Sequence, residues 1–307
     1  MIPTLLGVTF VVFLIVRAVP GDVATLILGE FGAGNEEAKR AILKEYSLDQ
    51  NILVQYVEWL GRLVRFDLGS SIVSGRTVQS ELSNRLPVTF ELGLMAIFFS
   101  LLIAIPVGVI SAVRQDTAAD YVGRSLAIGA LAVPNFWIAL VVISVASTSA
   151  QWALPPKNYI PFTEDPIGNI RFLWFPALLL GTGLSGSVMR FTRSSMLEVL
   201  RQDYIRTAWS KGLRERSIIV RHAMRNALIP VVTVVGLQLP VLVGGTIIIE
   251  SIYSIPGMGR YYISAIQTLD YPVIQAINII VALVVVFANL GVDIMYSILD
   301  PRIRYGR

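Results

Sequence analysis

The chain has 307 residues, of which 54% are hydrophobic and only 15% are charged. Because soluble domains carry about 25% charged residues, this composition excludes an ordinary soluble protein and predicts an all-α integral membrane protein. The absence of cysteine and the single histidine, His222, exclude a disulfide scaffold and a thiolate or imidazole metal site. The net charge of +4 lies beside apolar runs, where membrane orientation explains it better than nucleic-acid binding does.

Six apolar runs are long enough to cross a membrane as helices. We predict the spans at residues 2–19, 88–113, 120–149, 172–189, 227–250 and 273–299. A cleavable signal peptide is the competing interpretation of the first run. No basic segment precedes that run and no small-residue cleavage site follows it, so we favour a retained helix. Pro134 interrupts the third run, and Pro106 and Pro240 are expected to kink their helices.

The first two spans are separated by a polar insert, residues 20–87, that contains two amphipathic helical patterns. Asn35 is the expected cap of the first helix, and the second follows Asp49 and closes near Gly69. The aromatic residues expected to pack this insert onto the spans are Tyr56, Trp59 and Phe66. Charged residues between 36 and 49 are expected to stay partly exposed.

An even number of spans places both termini on one side of the membrane. Basic residues concentrate in the 190–226 segment, in the tail after residue 299, and at Arg114 and Arg124. This asymmetry predicts that both termini and the 190–226 segment are cytoplasmic. The 20–87 insert is then extracytoplasmic, since loops longer than about 60 residues do not follow the charge rule.

The 190–226 segment is the most strongly charged part of the chain. Leu197, Leu200, Tyr204 and Ala208 recur at helical spacing, and Gly212 follows where a left-handed C-cap is expected. A positive loop that only fixes topology is the simpler interpretation. The ordered helix–glycine–helix pattern instead favours a structured element with a function.

Nine motifs occur in a consistent order along the chain. They are PGD (20–22), LDQNILVQYVEWLGRLVRFDLGSS (48–71), RLPVTFELG (85–93), VPNFW (133–137), EVLRQDYIRTAWSKGL (198–213), RHAMRNALIP (221–230), ESIYSIPGMGR (250–260), DYPVIQA (270–276) and LDPRIR (299–304). With these motifs the chain resembles, over essentially its full length, the B-type permease subunit of dipeptide, oligopeptide and nickel ABC importers.

The resemblance implies a type I ABC importer permease fold in which residues 198–216 form a coupling helix seated on a cytoplasmic ATPase. The general importer motif matches here only at Ala208 and Gly212. The resemblance implies that the coupling residues are Asp203, Tyr204, Arg206, Ala208, Lys211, Gly212, Leu213, Arg214 and Arg216. In that interpretation a small Ala208 permits close approach to the ATPase.

The same resemblance implies a set of partners in a prokaryotic inner membrane. These are a homologous second permease forming a heterodimer, two ABC ATPases, an extracytoplasmic solute-binding protein and the bilayer itself. The chain contains no G-x-x-x-x-G-K-[ST] motif, so we expect it not to be an enzyme, and expect ATP and Mg²⁺ on the partner subunits rather than any cofactor here.

Substrate identity stays open at this stage. Di- and oligopeptides are the default that the resemblance implies, with nickel chelates, glutathione or oligosaccharides as alternatives. An ion-coupled secondary transporter is the more remote alternative, since no inverted repeat is visible. An intramembrane enzyme would need a nucleophile and base, or paired carboxylates, within the spans, and none is present.

Six polar residues lie within or at the ends of the predicted spans. Such groups are costly in a bilayer and are candidates for lining a translocation path. They are Glu91, Asn135, Gln238, Glu250, Asn289 and Asp293. The alternative is structural, because each side chain can instead pair with a neighbouring helix or with headgroup water.

Overall fold

The computed structural model describes residues 2–18, 37, 40, 49–149 and 158–299. Its named helices are α1 (Ile2–Ala18), α2 (Ile52–Val64), α3 (Val78–Val113), α4 (Ala118–Ala132), α5 (Asn135–Ser149), α6 (Pro166–Leu200), α7 (Asp203–Ser210), α8 (Met224–Ile252), α9 (Met258–Gln267) and α10 (Tyr271–Leu299). The all-α prediction is therefore confirmed for this part of the chain. The helix predicted after Asn35 and the basic tail lie outside the described residues.

Four helical segments in the described ranges are long and apolar enough to cross a membrane. They are Val78–Val113, Pro166–Leu200, Glu215–Leu239 and Tyr271–Val292. Helices α4 and α5 pass the same test together but bend by 89° at the break before Asn135, so they form either a broken span or a re-entrant loop. Helix α1 has 17 residues, at the lower limit of about 17 for a span. Length and apolarity thus support four or five spans, and six remains a prediction.

Two helices continue beyond the predicted spans that they contain. Helix α3 begins at Val78 rather than at residue 88, and α6 extends over Pro166–Leu200 rather than 172–189. A helix of 36 residues is about 54 Å long, whereas the hydrocarbon layer is about 30 Å thick. The polar ends therefore project beyond the apolar layer, where a search for apolar runs cannot see them.

Helical structure also occurs between the predicted spans. The segment that joins the predicted spans 227–250 and 273–299 holds α9 over Met258–Gln267. The chain also enters α8 through a short α-helical turn, Glu215–Ser217, and a π-helical turn, Ile218–Ala223. Helical backbone thus extends from Glu215 to Ile252, well before the predicted start of that span at residue 227.

By contact density the chain divides into two units, one formed by residues 1–88 and 256–286 and the other by residues 89–255 and 287–307. In the first unit, α2 packs on α1 through aromatic rings. Tyr56 and Trp59 lie 5.5 Å and 5.7 Å, between ring centroids, from Phe13. The predicted packing of these two residues is confirmed. The predicted packing of Phe66 is wrong, because this residue is 82% exposed. The cap of α2 is Asn51, whose side chain accepts a hydrogen bond from the Leu53 amide.

A buried carboxylate holds two distant segments of the first unit together. Asp270 is buried between α9 and α10, where its Oδ2 accepts a 2.5 Å hydrogen bond from the Ser71 hydroxyl. Its Oδ1 accepts from the amide of Ile72 at 3.2 Å. The Ser71 oxygen also accepts from the amide of Ser74. Asp270 therefore fixes the tight turn that precedes α3, 199 positions away in sequence.

In the second unit, α6 is the helix on which the others pack. It contacts α4, α5 and α8. A side chain at Gly181 would lie 2.6 Å from the Ala96 carbonyl oxygen of α3, and one at Gly186 would lie 2.7 Å from the Ala127 carbonyl oxygen of α4. Glycine is thus required at both positions because the backbones approach too closely for a methyl group. Such small-residue contacts are typical of helix packing in membranes.

The Asp270 contact gives a direct test of the first unit. We expect Asp270→Ala to release the 70–74 turn, since a hydrogen bond to a charged group contributes about 1.5–3 kcal/mol. Hydrogen exchange at the amide of Ile72 should then accelerate by at least about tenfold.

Asp67→Ala is the matched control. Its carboxylate also accepts an amide hydrogen bond, from Gly69, but the residue is exposed. Equal acceleration at Ile72 in both variants would show that Asp270 does not hold the turn.

Candidate coupling surface

The predicted coupling segment forms a separate short helix, α7, between α6 and α8. The chain leaves α6 at Arg201 and becomes extended at Gln202, with φ −73° and ψ 149°. Helix α7 ends at Ser210, and Gly212, two residues further on, has a left-handed φ of +72°. The Gly212 amide donates to the Trp209 carbonyl and the Leu213 amide to the Ala208 carbonyl, which is the Schellman pattern. The left-handed C-cap predicted at Gly212 is confirmed.

The inner face of α7 packs against the core of the second unit. Ile205 and Ala208 are the buried residues of this helix. They belong to one hydrophobic cluster with Met196 at the end of α6 and Ile218 and Ala223 in the π-helical turn. Helix α7 is therefore seated on the ends of the helices that precede and follow it.

The exposed residues of α7 and of the turn that follows it include both apolar and cationic side chains. Tyr204, Trp209 and Leu213 are each 39–49% exposed, which is unusual for large apolar side chains at a polar helix end. The exposed cations around them are Arg201, Arg206, Lys211, Arg214 and Arg216. Arg206 lies 3.4 Å from Asp203, but both side chains are solvent-exposed, so this pair contributes little. We call these exposed residues of α7 and its flanking turns the α7 surface.

The structure changes the sequence-based account of this segment in two ways. The helical pattern Leu197 to Ala208 does not form one helix, because it is broken at Gln202. Ala208 faces inward and is only 7% exposed, so its small size serves packing beneath α7 rather than contact with a partner. Trp209 was not predicted as a site residue. Its apolar side chain in a basic stretch was the signal that could have identified it.

A buried carboxylate, also missed by the sequence analysis, fixes the helices that carry the α7 surface. Asp120 of α4 is 0% exposed. Its two oxygens accept from Nε and Nη2 of Arg193 in α6, at 2.8 Å and 2.9 Å. Arg124 binds the same carboxylate through Nε at 3.0 Å and through a second, close contact from Nη2. The hydroxyl of Ser111 in α3 donates to Oδ1 at 2.5 Å.

These bonds connect three helices near the point where α6 leads into α7. A buried carboxylate is tolerated only when it is paired and hydrogen-bonded, and Asp120 meets both conditions. From sequence, Asp120 was indistinguishable from a polar residue at the start of a span. Its partner Arg193 is 73 positions away, and only the fold brings them together.

Two of the path candidates are buried within the second unit. Gln238 is 8% exposed and donates to the Leu184 carbonyl at 3.1 Å and to the Ser187 hydroxyl at 2.7 Å. Glu250 is 0% exposed and accepts from the Thr89 hydroxyl at 2.8 Å. In this conformation both residues join neighbouring helices, which favours the structural interpretation over path lining.

Glu91 is paired with two neighbouring polar side chains of the second unit. Its Oε2 accepts from the Tyr159 hydroxyl and the Asn169 amide group, each at 3.0 Å. Burial, and then the hydrogen bond to Glu91, raises the pKa of Tyr159 above its ordinary value. Glu91 thus anchors the segment before α6.

The remaining candidates differ in their surroundings. Asn135 begins α5, with its amide directly against Gly183 of α6. Asn289 of α10 is exposed. The side chain of Asp293 lies outside the described residues. Across the described ranges, no cluster of three His, Cys, Asp or Glu residues is arranged to hold a metal ion.

These features define a multi-pass membrane protein that presents a short, exposed helix between two of its long helices. Comparison with known proteins identifies the family. Residues 104–305 match the model of the binding-protein-dependent transport system inner membrane component, so the chain belongs to that family.

Curated relatives cover almost the whole chain. A Putative peptide transport system permease protein of Brucella abortus (strain 2308) is 42% identical over 304 residues, covering 99% of this chain and 96% of the relative. The Oligopeptide transport system permease protein AppB of Bacillus subtilis (strain 168) is 41% identical, with the same coverage. The Dipeptide transport system permease protein DppB of Escherichia coli (strain K12) is 37% identical, again with 99% and 96% coverage.

The Asp120 cluster provides a stability test. We expect Asp120→Asn to leave two guanidinium groups without their buried counter-charge. Breaking a buried pair costs about 3 kcal/mol or more, so the melting temperature of the purified protein should fall by roughly 6 °C or more.

Asp116→Asn is the control, because Asp116 is 66% exposed and lies 3.3 Å from the same Arg124. Its melting temperature should stay within about 1 °C of the wild type. A similar decrease in both variants would contradict the role of burial.

Proposed function

We propose that this chain is the permease subunit of an ATP-driven, binding-protein-dependent importer, and that the α7 surface binds a cytoplasmic ATPase subunit. The observation that carries the proposal is the exposure of three large apolar side chains, Tyr204, Trp209 and Leu213, among exposed cations on α7 and the turn that follows it. Buried aromatic anchors within a polar rim are typical of protein interfaces. The family supports such a partner, since its description is that of a component of a transport system.

The packing of α7 makes it suitable for transmitting movement. Its inner face is buried against Met196 of α6 and Ile218 before α8. A partner that displaces α7 therefore displaces the ends of two long helices with it. In the proposed mechanism, ATP-driven closure of the ATPases moves α7, and the attached helices change the side to which the path opens. Asp120 keeps α4 and α6 together during this movement.

ATP chemistry belongs, in this proposal, to separate subunits. The sequence has no phosphate-binding G-x-x-x-x-G-K-[ST] loop, so ATP and Mg²⁺ would bind to the two ATPases. This chain would contribute half of the translocation path, with a homologous permease contributing the rest. An extracytoplasmic solute-binding protein would deliver the substrate.

Peptides are the proposed substrate class. The support is that three relatives at 37–42% identity are named as peptide, oligopeptide and dipeptide permeases. Ligand identification on the cognate binding protein would test the substrate directly. Recovery of only a nickel chelate, glutathione or an oligosaccharide would replace peptides as the cargo.

The coupling proposal predicts the effect of shortening the central aromatic residue. Trp209→Ala removes apolar area from the α7 surface without altering the buried face. We expect the apparent affinity for the ATPase subunits to decrease at least about tenfold, and transport to decrease with it. Co-purification titrations and uptake into proteoliposomes measure the two effects.

Phe191→Ala is a matched control, because Phe191 is also an aromatic residue of similar exposure, 50% against 49%, but lies on α6. ATPase binding should be unchanged in this variant. Retention of wild-type affinity by Trp209→Ala would exclude the α7 surface as the contact.

The proposed orientation places the 70–77 turn outside the cell and α7 in the cytoplasm. Because the chain has no cysteine, single cysteines can be introduced without further changes. Val73→Cys and Ser210→Cys both substitute exposed residues. In intact cells we expect a membrane-impermeant maleimide to label only position 73, and both positions after permeabilisation. Labelling of position 210 in intact cells would refute the orientation.

A further inference from the structure

A basic cavity opens between α3, α4 and α6 in the second unit. Its volume is about 390 Å³. Three arginines line it, Arg124, Arg190 and Arg193, together with apolar residues that include Val107, Ile128 and Met189. It is separate from the α7 surface and from the six path candidates.

The charges in and around the cavity do not balance. Asp120 is shared by Arg124 and Arg193, and Asp116 adds a second carboxylate at 3.3 Å from Arg124. Arg190 is exposed and makes no side-chain hydrogen bond or ion pair within the described part of the chain. Three guanidinium groups against two carboxylates leave one net positive charge, and Arg190 is the cation available to a ligand.

Exposed apolar side chains lie on two of the helices that line the cavity. Ile128 lines the cavity with 63% of its surface exposed, and Tyr121 and Val122 of the same helix are exposed to a similar degree. Phe191 follows Arg190 on α6 and is also half-exposed. A free inorganic anion makes no favourable contact with these apolar side chains. A molecule that joins a phosphate to hydrocarbon chains can contact both kinds of group at once.

We propose that this cavity binds the headgroup of an anionic phospholipid, with Arg190 contacting the phosphate and the acyl chains lying along the Ile128 side. Basic pockets between membrane helices bind acidic lipid headgroups by this combination of charge and apolar contact. The bound lipid would connect α4 to α6 beside Asp120. It would therefore add support to the helix end that leads into α7.

The test uses the full-length protein, with the subunits that co-purify, in nanodiscs of defined composition. Native mass spectrometry counts bound phosphatidylglycerol against phosphatidylcholine. We expect one phosphatidylglycerol to be retained per chain, and phosphatidylcholine not to be. Arg190→Ala should weaken phosphatidylglycerol retention by about fivefold, as expected for one arginine near an anionic lipid.

Arg114→Ala is the control. Arg114 is exposed and directly follows the last residue of α3, and it is not among the residues that line the cavity. It should retain the lipid as the wild type does. Unchanged retention in Arg190→Ala, or equal retention of phosphatidylcholine, would overturn the proposal. Full displacement of the lipid by millimolar inorganic phosphate would assign the cavity to a free anion. Cross-linking of Ile128→Cys to another subunit would show that a protein covers it.

Discussion

The pairing of one buried carboxylate with two arginines governs the arrangement of the second unit. Asp120 has no contact with solvent, so its charge requires partners wherever α4 is placed. Arg193 can pair with Asp120 only if α6 packs alongside α4 with these two residues at the same level along the helix axes. The glycine at position 186 permits that approach, because a methyl group there would meet the backbone of α4. The position of α7, directly after α6, follows from this constraint.

Local signals in the sequence predicted local structure well. The left-handed glycine at 212, the break at Pro134 and the packing of Tyr56 and Trp59 all depend on neighbouring residues or on backbone stereochemistry. The polar extensions of the long helices were not predicted, since a search for apolar runs finds only the part of a helix that lies in the bilayer. The predicted packing of Phe66 is wrong because this residue lies beyond the end of its helix. Its positive φ places it past the end of α2, out of the helical phase on which the prediction relied.

Long-range pairs could not be predicted from one sequence. Asp120 and Asp270 look like ordinary polar residues beside a helix, yet each joins segments far apart in the chain. Conversely, Gln238 and Glu250 were predicted as candidates for lining the path because polar groups in apolar runs are rare. Both form hydrogen bonds between helices. A polar residue in a span is energetically costly, and only its neighbours in the fold show whether it lines a path or joins helices.

The π-helical turn at the start of α8 changes which residues can share a face. In an α-helix, residues five apart point about 140° away from each other. Ile218 and Ala223 are five apart, and both are completely buried in the cluster beneath α7. An i→i+5 turn brings such a pair close to one side. The wider π-helical turn thus places Ile218 and Ala223 on one side of the helix, where both contact the apolar cluster beneath α7. The regular α-helical pitch resumes at Met224, where α8 begins.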